Sequence, residues 1–164
     1  MKLQIYCPTA LEILTHSTFL AETHESIPRQ WDRSWTVNLE RIEKTKENIN
    51  QSIHLDRWYF IKVDDKLAGF YWTCPDGDGF HGKSFWIDQA FRGKGLGKKL
   101  KWFAVHDLAE KGLPYLTGKV HSGNLAMQSL NQKCGFNLYD QVGEWLWFKT
   151  DFRDNSWFSK LISF

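Results

Sequence analysis

The sequence predicts a mixed α/β layer fold. Three observations carry that expectation. Several long segments repeat apolar residues at three- and four-residue steps, the spacing of one helix face. Between them lie short runs rich in aromatic and β-branched residues, which suit strands. Glycine, proline and aspartate punctuate the boundaries. In chain order the elements read α-α-β-β-β-α-β-α-β-β, a pattern satisfied by helices layered on a sheet.

Pro8 and Thr9 open the first helix. Thr9 and Glu12 have the spacing at which each side chain satisfies an orphan amide of the first turn. Leu11, Leu14 and Ala21 then share a face, and Pro28 breaks the pattern within residues 24–32. A second helix is expected over residues 35–53, where Trp35, Leu39, Ile42, Ile49 and Ile53 form a stripe. Its other face, with Glu40, Arg41, Glu43, Lys44 and Glu47, is a solvated one. Residues 57–63 and 67–74 pair as a hairpin about Asp64, Asp65 and Lys66. Residues 75–79 are a plain loop, because they lack the glycine and closing glutamate of a calcium loop. Residues 83–90 form the next strand. The helix that follows carries Leu96, Leu100, Ala104 and Leu108 on one stripe and ends before Gly112 and Pro114. Residues 115–121 form a strand, and residues 124–134 a helix stopped by Gly135. A second hairpin, residues 137–142 and 144–149, turns at Gly143.

Composition narrows the function. The chain has 164 residues, 42% of them apolar and 24% charged, which suits a single globular domain with a real core. A disordered chain is excluded, since those are poor in apolar residues and strongly charged. Lys plus Arg number 21 against 19 Asp plus Glu, a net charge of +2, so no nucleic-acid partner is expected. No run of about 18 or more apolar residues exists, so no membrane span is expected. The N-terminus has no apolar run of the signal-peptide kind. Cys7, Cys74 and Cys134 form no Cys-x-x-Cys pair, so neither a metal site nor a disulfide framework is expected, and the expected location is cytoplasmic. Aromatic residues reach 16%; they fill cores and also line clefts.

The segment that carries chemistry is residues 89–100, Gln-Ala-Phe-Arg-Gly-Lys-Gly-Leu-Gly-Lys-Lys-Leu. Gly93, Gly95 and Gly97 leave a strand and enter a helix. Glycine permits unusual backbone angles and close approach of another molecule. Successive amides can then converge on an anion at the helix N-terminus. Arg92, Lys94, Lys98, Lys99 and Lys101 add five positive charges with no acid among them. This is a site for pyrophosphate or another polyphosphate. A Walker loop would end in Gly-Lys-Ser/Thr, but Lys98 and Lys99 follow Gly97. A dinucleotide fold needs Gly-x-Gly-x-x-Gly, and these glycines alternate instead.

The loop resembles that of the GNAT superfamily of N-acetyltransferases, Gln/Arg-x-x-Gly-x-Gly/Ala, met here by Arg92, Gly95 and Gly97. That superfamily also has a helix that opens with Asn and closes with Gly-Phe, matched by Asn124, Gly135 and Phe136. The resemblance is specific over residues 84–136 and weak before residue 57. It implies a GNAT-like, mostly antiparallel twisted sheet flanked by helices, with two central strands splayed apart. It implies acetyl-CoA as co-substrate, its pantetheine arm lying between those strands. The Ile87 amide would meet the thioester carbonyl. The amides of Gly93, Lys94, Gly95, Leu96, Gly97 and Lys98 would hold the pyrophosphate. Asn124 would contact the pantetheine arm, and Lys133 would approach the distal end. Asn124 also reads as a plain helix N-cap, and Lys133 as a solvated lysine. His121 and Asp88 are candidate bases; a hydrogen-bonded histidine and a loop cap are the other readings. Trp31, Trp35, Trp58, Tyr71 and Trp72 come from segments that form the acceptor side in this superfamily, though each singly reads as core.

One departure stands out. Many members carry a tyrosine where this chain has Asn131, as the acid that protonates the departing thiolate. An amide cannot do that at neutral pH. Asn131 is then expected to shape the thiolate pocket, with Tyr139 as the fallback acid. The function expected is acetyl transfer from acetyl-CoA to an amine acceptor, a small molecule or a protein amine, by direct attack. The alternative is a non-catalytic acyl-CoA-binding or protein-interaction domain. The C-terminal tail, residues 151–164, places Trp157, Phe158, Leu161, Ile162 and Phe164 at partly helical spacing. It is expected to be covered by the domain or by a second subunit, as in a homodimer.

Overall fold

The computed structural model describes residues 1–154. The apolar tail residues from position 155 onward lie outside the described residues. Seven strands form one sheet in the order β1-β2-β3-β4-β5-β7-β6. They are β1 (Leu3–Tyr6), β2 (Arg57–Val63), β3 (Lys66–Asp76), β4 (Gly79–Ile87), β5 (Tyr115–His121), β6 (Asn137–Val142) and β7 (Trp145–Asp151). Five α-helices accompany them: α1 (Ala10–Thr15), α2 (Ser17–Ser26), α3 (Leu39–Ser52), α4 (Leu96–Glu110) and α5 (Leu125–Lys133). Every strand pairing is antiparallel except β4 with β5. No helix among the described residues is long and apolar enough to cross a membrane.

Both faces of the central strands are covered, and this explains their composition. On β2, Tyr59 and Ile61 face a core shared with Leu96, Leu100, Ala104 and Leu108 of α4. Trp58 and Phe60 face a second core with Ile13, Leu20, Ala21, Ile42 and Ile49 of α1 to α3. A strand buried on both faces reads as a continuous apolar run rather than an alternation. Trp58 and Trp72 stack at 4.6 Å within the second core, both buried.

Several boundaries depart from the sequence expectation, each for a local reason. The four-residue strand β1 is too short to show an alternating pattern, and it was not anticipated. It pairs with β2 from Leu3↔Val63 to Tyr6↔Phe60. The first helix is two helices, because the chain leaves helical geometry at His16, whose φ is −95° and ψ 4°. The break resets the helical phase: Ile13, Leu20 and Ala21 are buried, while Leu11 and Leu14 are exposed. Only half of the expected capping box forms. Thr9 accepts from the Glu12 amide, but the Glu12 carboxylate accepts from Tyr6 and Lys62 instead. Helix α3 starts at Leu39, because the Asn38 side chain caps the amides of Glu40 and Arg41. Trp35 therefore lies outside the helix and donates its Nε1–H to the Glu25 carbonyl at 2.8 Å. The loop expected at residues 75–79 is a hairpin turn, with Asp76 paired to Gly79 and Gly77 at φ 56°. Strand β7 runs through Asp151, and Phe152 is buried in the first core, so the expected tail begins later than residue 151.

Candidate active site

The site begins where β4 and β5 part. They pair in parallel only at Phe80↔Leu116, His81↔Thr117 and Gly82↔Gly118. Beyond that rung β4 stays with β3 as far as Ile87, and β5 stays with β7 as far as His121. Each strand follows its own neighbour, so the sheet opens between them. The last rung is a pair of glycines. A Cβ on Gly82 would lie 2.5 Å from the Tyr71 hydroxyl, whereas a Cβ on Gly118 would meet nothing within 4 Å. The opening continues into a cleft of about 410 Å³ lined by β4, β5, α4, α5 and the segment from α2 to Trp35.

At the far end of β4 stands the glycine loop. The Asp88 amide donates to the Ala68 carbonyl at 2.9 Å, so Ile87 and Gly69 face each other as a non-hydrogen-bonded pair. The Ile87 amide and carbonyl therefore point away from β3, toward the gap. Arg92 donates from Nε to that carbonyl at 2.9 Å and ties the glycine loop to the strand. Gly93 and Gly95 adopt φ 75° and 76°, left-handed backbone that favours glycine. Gly95 is the N-cap of α4 and offers no side-chain cap. Lys99 N–H donates to the Gly95 carbonyl at 3.2 Å. The amides of the first turn, from Leu96 on, thus carry the positive end of a fifteen-residue helix without a side-chain acceptor. A Cβ on Gly97 would lie in ordinary contact with Leu130 and Phe85, at 3.4 and 3.6 Å. Lys94 reaches back to the Ala90 carbonyl, and Lys133 is exposed in the last turn of α5.

Lys101 does not belong to this basic surface. It is one of the five positive charges of the loop segment, but Lys101 is 3% exposed and turns into the cleft. Its Nζ donates to Asn131 Oδ1, and the rings of Tyr71, Phe85 and Phe136 surround it. Burial pushes its pKa down to about 8. Asn131 is 1% exposed, and among the described residues its Nδ2 has no hydrogen-bond partner; neither does the buried hydroxyl of Ser84 on β4. Both line the same cleft. Asn124 does two jobs at the edge: it is buried, lines the cleft, and caps α5 by accepting from the Met127 amide at 3.2 Å.

The mouth is aromatic. Trp31 stacks on His121 at 5.2 Å, and Trp145 meets both edge-on. Trp35 lies under Arg41, whose guanidinium holds Glu25 at 3.1 Å. His121 Nδ1 accepts from the Gly123 amide at 3.0 Å, so its ring hydrogen sits on Nε2, which faces Glu144 Oε2 at 3.4 Å. Neither nitrogen then offers a free lone pair to an incoming amine. Sequence reasoning missed two other imidazoles of the cleft, His24 and His81; burial lowers the pKa of both and keeps them neutral. No local motif marks them, because they arrive from α2 and β4. Asp88 caps the 3₁₀ turn Gln89–Phe91 through the Ala90 amide and does not line the cleft. Tyr139 is exposed on β6, away from the cleft lining.

Comparison with known proteins places this geometry. The sequence model of the acetyltransferase (GNAT) family matches residues 20–136. A mycothiol acetyltransferase of Streptosporangium roseum is 34% identical over 83 residues; the match covers 46% of this chain and 25% of that protein. The chain thus spans about a quarter of the length of such relatives. Among solved structures, the PaiA N-acetyltransferase of Thermoplasma acidophilum, in complex with coenzyme A, superposes with a TM-score of 0.72 at 21% identity, over 92% of this chain and 99% of that one. A GNAT-family acetyltransferase of Staphylococcus aureus gives 0.74 at 11% identity, over 92% and 99%. A family match across most of the chain, on a sheet that opens where a glycine loop enters a helix, makes this protein a member of the GNAT acetyltransferase family.

Proposed function

We propose that this protein transfers an acetyl group from acetyl-CoA to a primary amine by direct attack. The observation that carries the reading is the opening of the sheet between β4 and β5. The cleft with its aromatic mouth is lined by both strands, and the uncapped N-terminus of α4 follows the far end of β4, although Ile87 and residues 92–98 are not among the residues that line the cleft. Acetyl-CoA fits the residues present. First-turn amides beyond Gly93 and Gly95, with Arg92, Lys94 and Lys98 nearby, suit a pyrophosphate. The inward-facing Ile87 amide suits the pantetheine arm or the thioester carbonyl, whose developing negative charge it would stabilise. Asn124 and the orphan Asn131 Nδ2 and Ser84 hydroxyl offer polar contacts along the way. Lys133, exposed in the last turn of α5, would approach the distal end of the same ligand.

An alkyl ammonium, with pKa about 10.4, is inert until it loses a proton. Water in the open cleft, passing that proton to neutral His81, supplies the base. His81 is held by its Nδ1 against Thr117 at 2.8 Å. The acceptor class follows from the wall. Arg41, Lys83 and Lys119 line the cleft; Glu25 is held by Arg41 and Thr45, and Lys83 lies 3.8 Å from the buried carboxylate of Asp56, which leaves Lys119 and Lys101 in excess. Such a wall favours an amine that also carries an acidic group and disfavours polyamines.

Release of free thiol from acetyl-CoA, measured with a panel of amino acids, acidic peptides and polyamines, tests the reading. Thiol release that depends on an acidic amine is the expected result. Tight acetyl-CoA binding with no release for any amine would favour the non-catalytic alternative, to which the Asn131 substitution lends its support.

A further inference from the structure

The floor of the cleft holds a cation that has no counter-ion among the described residues. Lys101 Nζ donates to the neutral Asn131 amide and lies 3.8 Å from Met127 Sδ. Ring centroids of Phe136, Phe85 and Tyr71 lie 4.6, 5.4 and 5.5 Å from it. Ring faces attract a cation and replace part of its lost hydration. The titratable groups packed against it are Tyr71 of β3 and Cys134 at the end of α5, and burial keeps both protonated. Further along the wall stand His81, Lys83, Lys119 and His121, with Glu25 spent on Arg41. A lysine kept for packing alone bends its ammonium out to water. This one is turned toward the gap, beside two other buried polar groups that lack partners among the described residues, Asn131 Nδ2 and Ser84 Oγ. The arrangement is complementary to an anion that forms inside the cleft.

We propose that Lys101 is a catalytic residue, donating a proton from Nζ to the sulfur that departs from the acetyl group. The proposal rests on the acetyltransferase reading above. As the carbon–sulfur bond breaks, its electron pair goes to sulfur, and Lys101 gives that sulfur a proton and becomes neutral. The amine nitrogen loses one proton as its bond to the acetyl carbon forms. That proton returns through cleft water to Lys101, so the net products are the amide and a free thiol. Lys101 is poised for this, since its pKa near 8 lies close to the ordinary thiol value of about 8.5. Matched values favour general acid catalysis near neutral pH. Asn131 is a positioning residue: its Oδ1 and Met127 Sδ each take one Nζ hydrogen and leave the third for the gap. Lys101 reaches this point from α4 and Asn131 from α5, so the acid and its guide come from different helices.

The test compares wild type with Lys101→Met and Lys101→Gln, each checked for folding by its melting curve. Coenzyme A is bound to each, and its thiol is titrated by the ultraviolet absorbance of the thiolate. Bound thiol should ionise at lower pH in wild type than in free coenzyme A, and the shift should vanish in both variants while affinity for desulfo-coenzyme A is unchanged. Turnover should fall about a hundredfold to ten-thousandfold, and the descending limb of the pH–rate profile near pH 8 should disappear. An identical thiol titration in wild type and variants, with coenzyme A bound, overturns the role of Lys101 and leaves the acetyltransferase reading standing. Failure of wild type to bind coenzyme A at all overturns that reading, and this role with it.

Discussion

Gly95 shows how one residue type is demanded twice. Its φ of 76° strains any side chain, and its lack of a capping group leaves the α4 amides for a ligand. Nothing lies within 4 Å of a Cβ built there, so a side chain would not disturb the core. Gly95→Val is expected to fold and to lower acetyl-CoA affinity at least tenfold, read by calorimetry; unchanged affinity in a folded protein would put the pyrophosphate elsewhere. Lys101 gives the second prediction at this scale. Its folded pKa, about 8, lies below its ordinary value of 10.5, so the unfolded chain binds more protons between those values. Stability therefore rises with pH across roughly 8 to 10.5, and below pH 8 the full penalty is present. A shift of this size corresponds to roughly 3 kcal/mol, and losing the hydrogen bond to buried Asn131 costs about 1–2 kcal/mol. Lys101→Met should then be more stable than wild type at pH 7 by about 1 kcal/mol and less stable above about pH 10. Denaturant melts at the two pH values check the crossing; a variant less stable at both would mean that Lys101 is not destabilised by its burial.

At the scale of elements, the cleft depends on how β4 and β5 end their pairing. The two glycines of the last rung are not equivalent. Gly82 is filled by Tyr71, so Gly82→Ala forces the phenol aside and should cost about 1–3 kcal/mol of stability, an overpacking effect. Gly118 faces the gap, and β-branched residues suit strands. Gly118→Val should keep its melting temperature within a few degrees and lose coenzyme A binding. Loss of stability with binding retained would show that the gap is not the ligand's path. Each element was legible to the degree that its signal was local. The helices α4 and α5 were legible through their stripes and ends. The α1–α2 break was not, because His16 is a residue any helix tolerates, and its ring bonds back to the Glu12 carbonyl only once the turn has formed. The start of α3 was misread because Trp35 fits the apolar step, while the Asn38 cap decides where the helix begins.

For the molecule as a whole, the net charge of +2 conceals an uneven distribution. Arg92, Lys94, Lys98 and Lys99 cluster at the glycine loop, so acetyl-CoA affinity should fall as salt rises, with screening reaching about 10 Å at 0.1 M. Pantetheine, which lacks the pyrophosphate, should bind with little salt dependence; calorimetry at two salt concentrations separates the cases, and equal slopes would deny the loop its electrostatic part. What the sequence by itself determined is the layered α/β class, the glycine loop that enters α4 and the block from Asn124 to Phe136, and through them the family. These features are local: glycine angles, caps and helical stripes depend on residues within a turn of one another. Only the tertiary structure decided the chemistry of the cleft. It turned Lys101 inward against Asn131, spent both nitrogens of His121, sent Asp88 and Tyr139 elsewhere, and brought His24 and His81 to the wall. The reason is physical: a side chain's charge and reach depend on what lies beside it, and those neighbours arrive from helices and strands far apart in the chain.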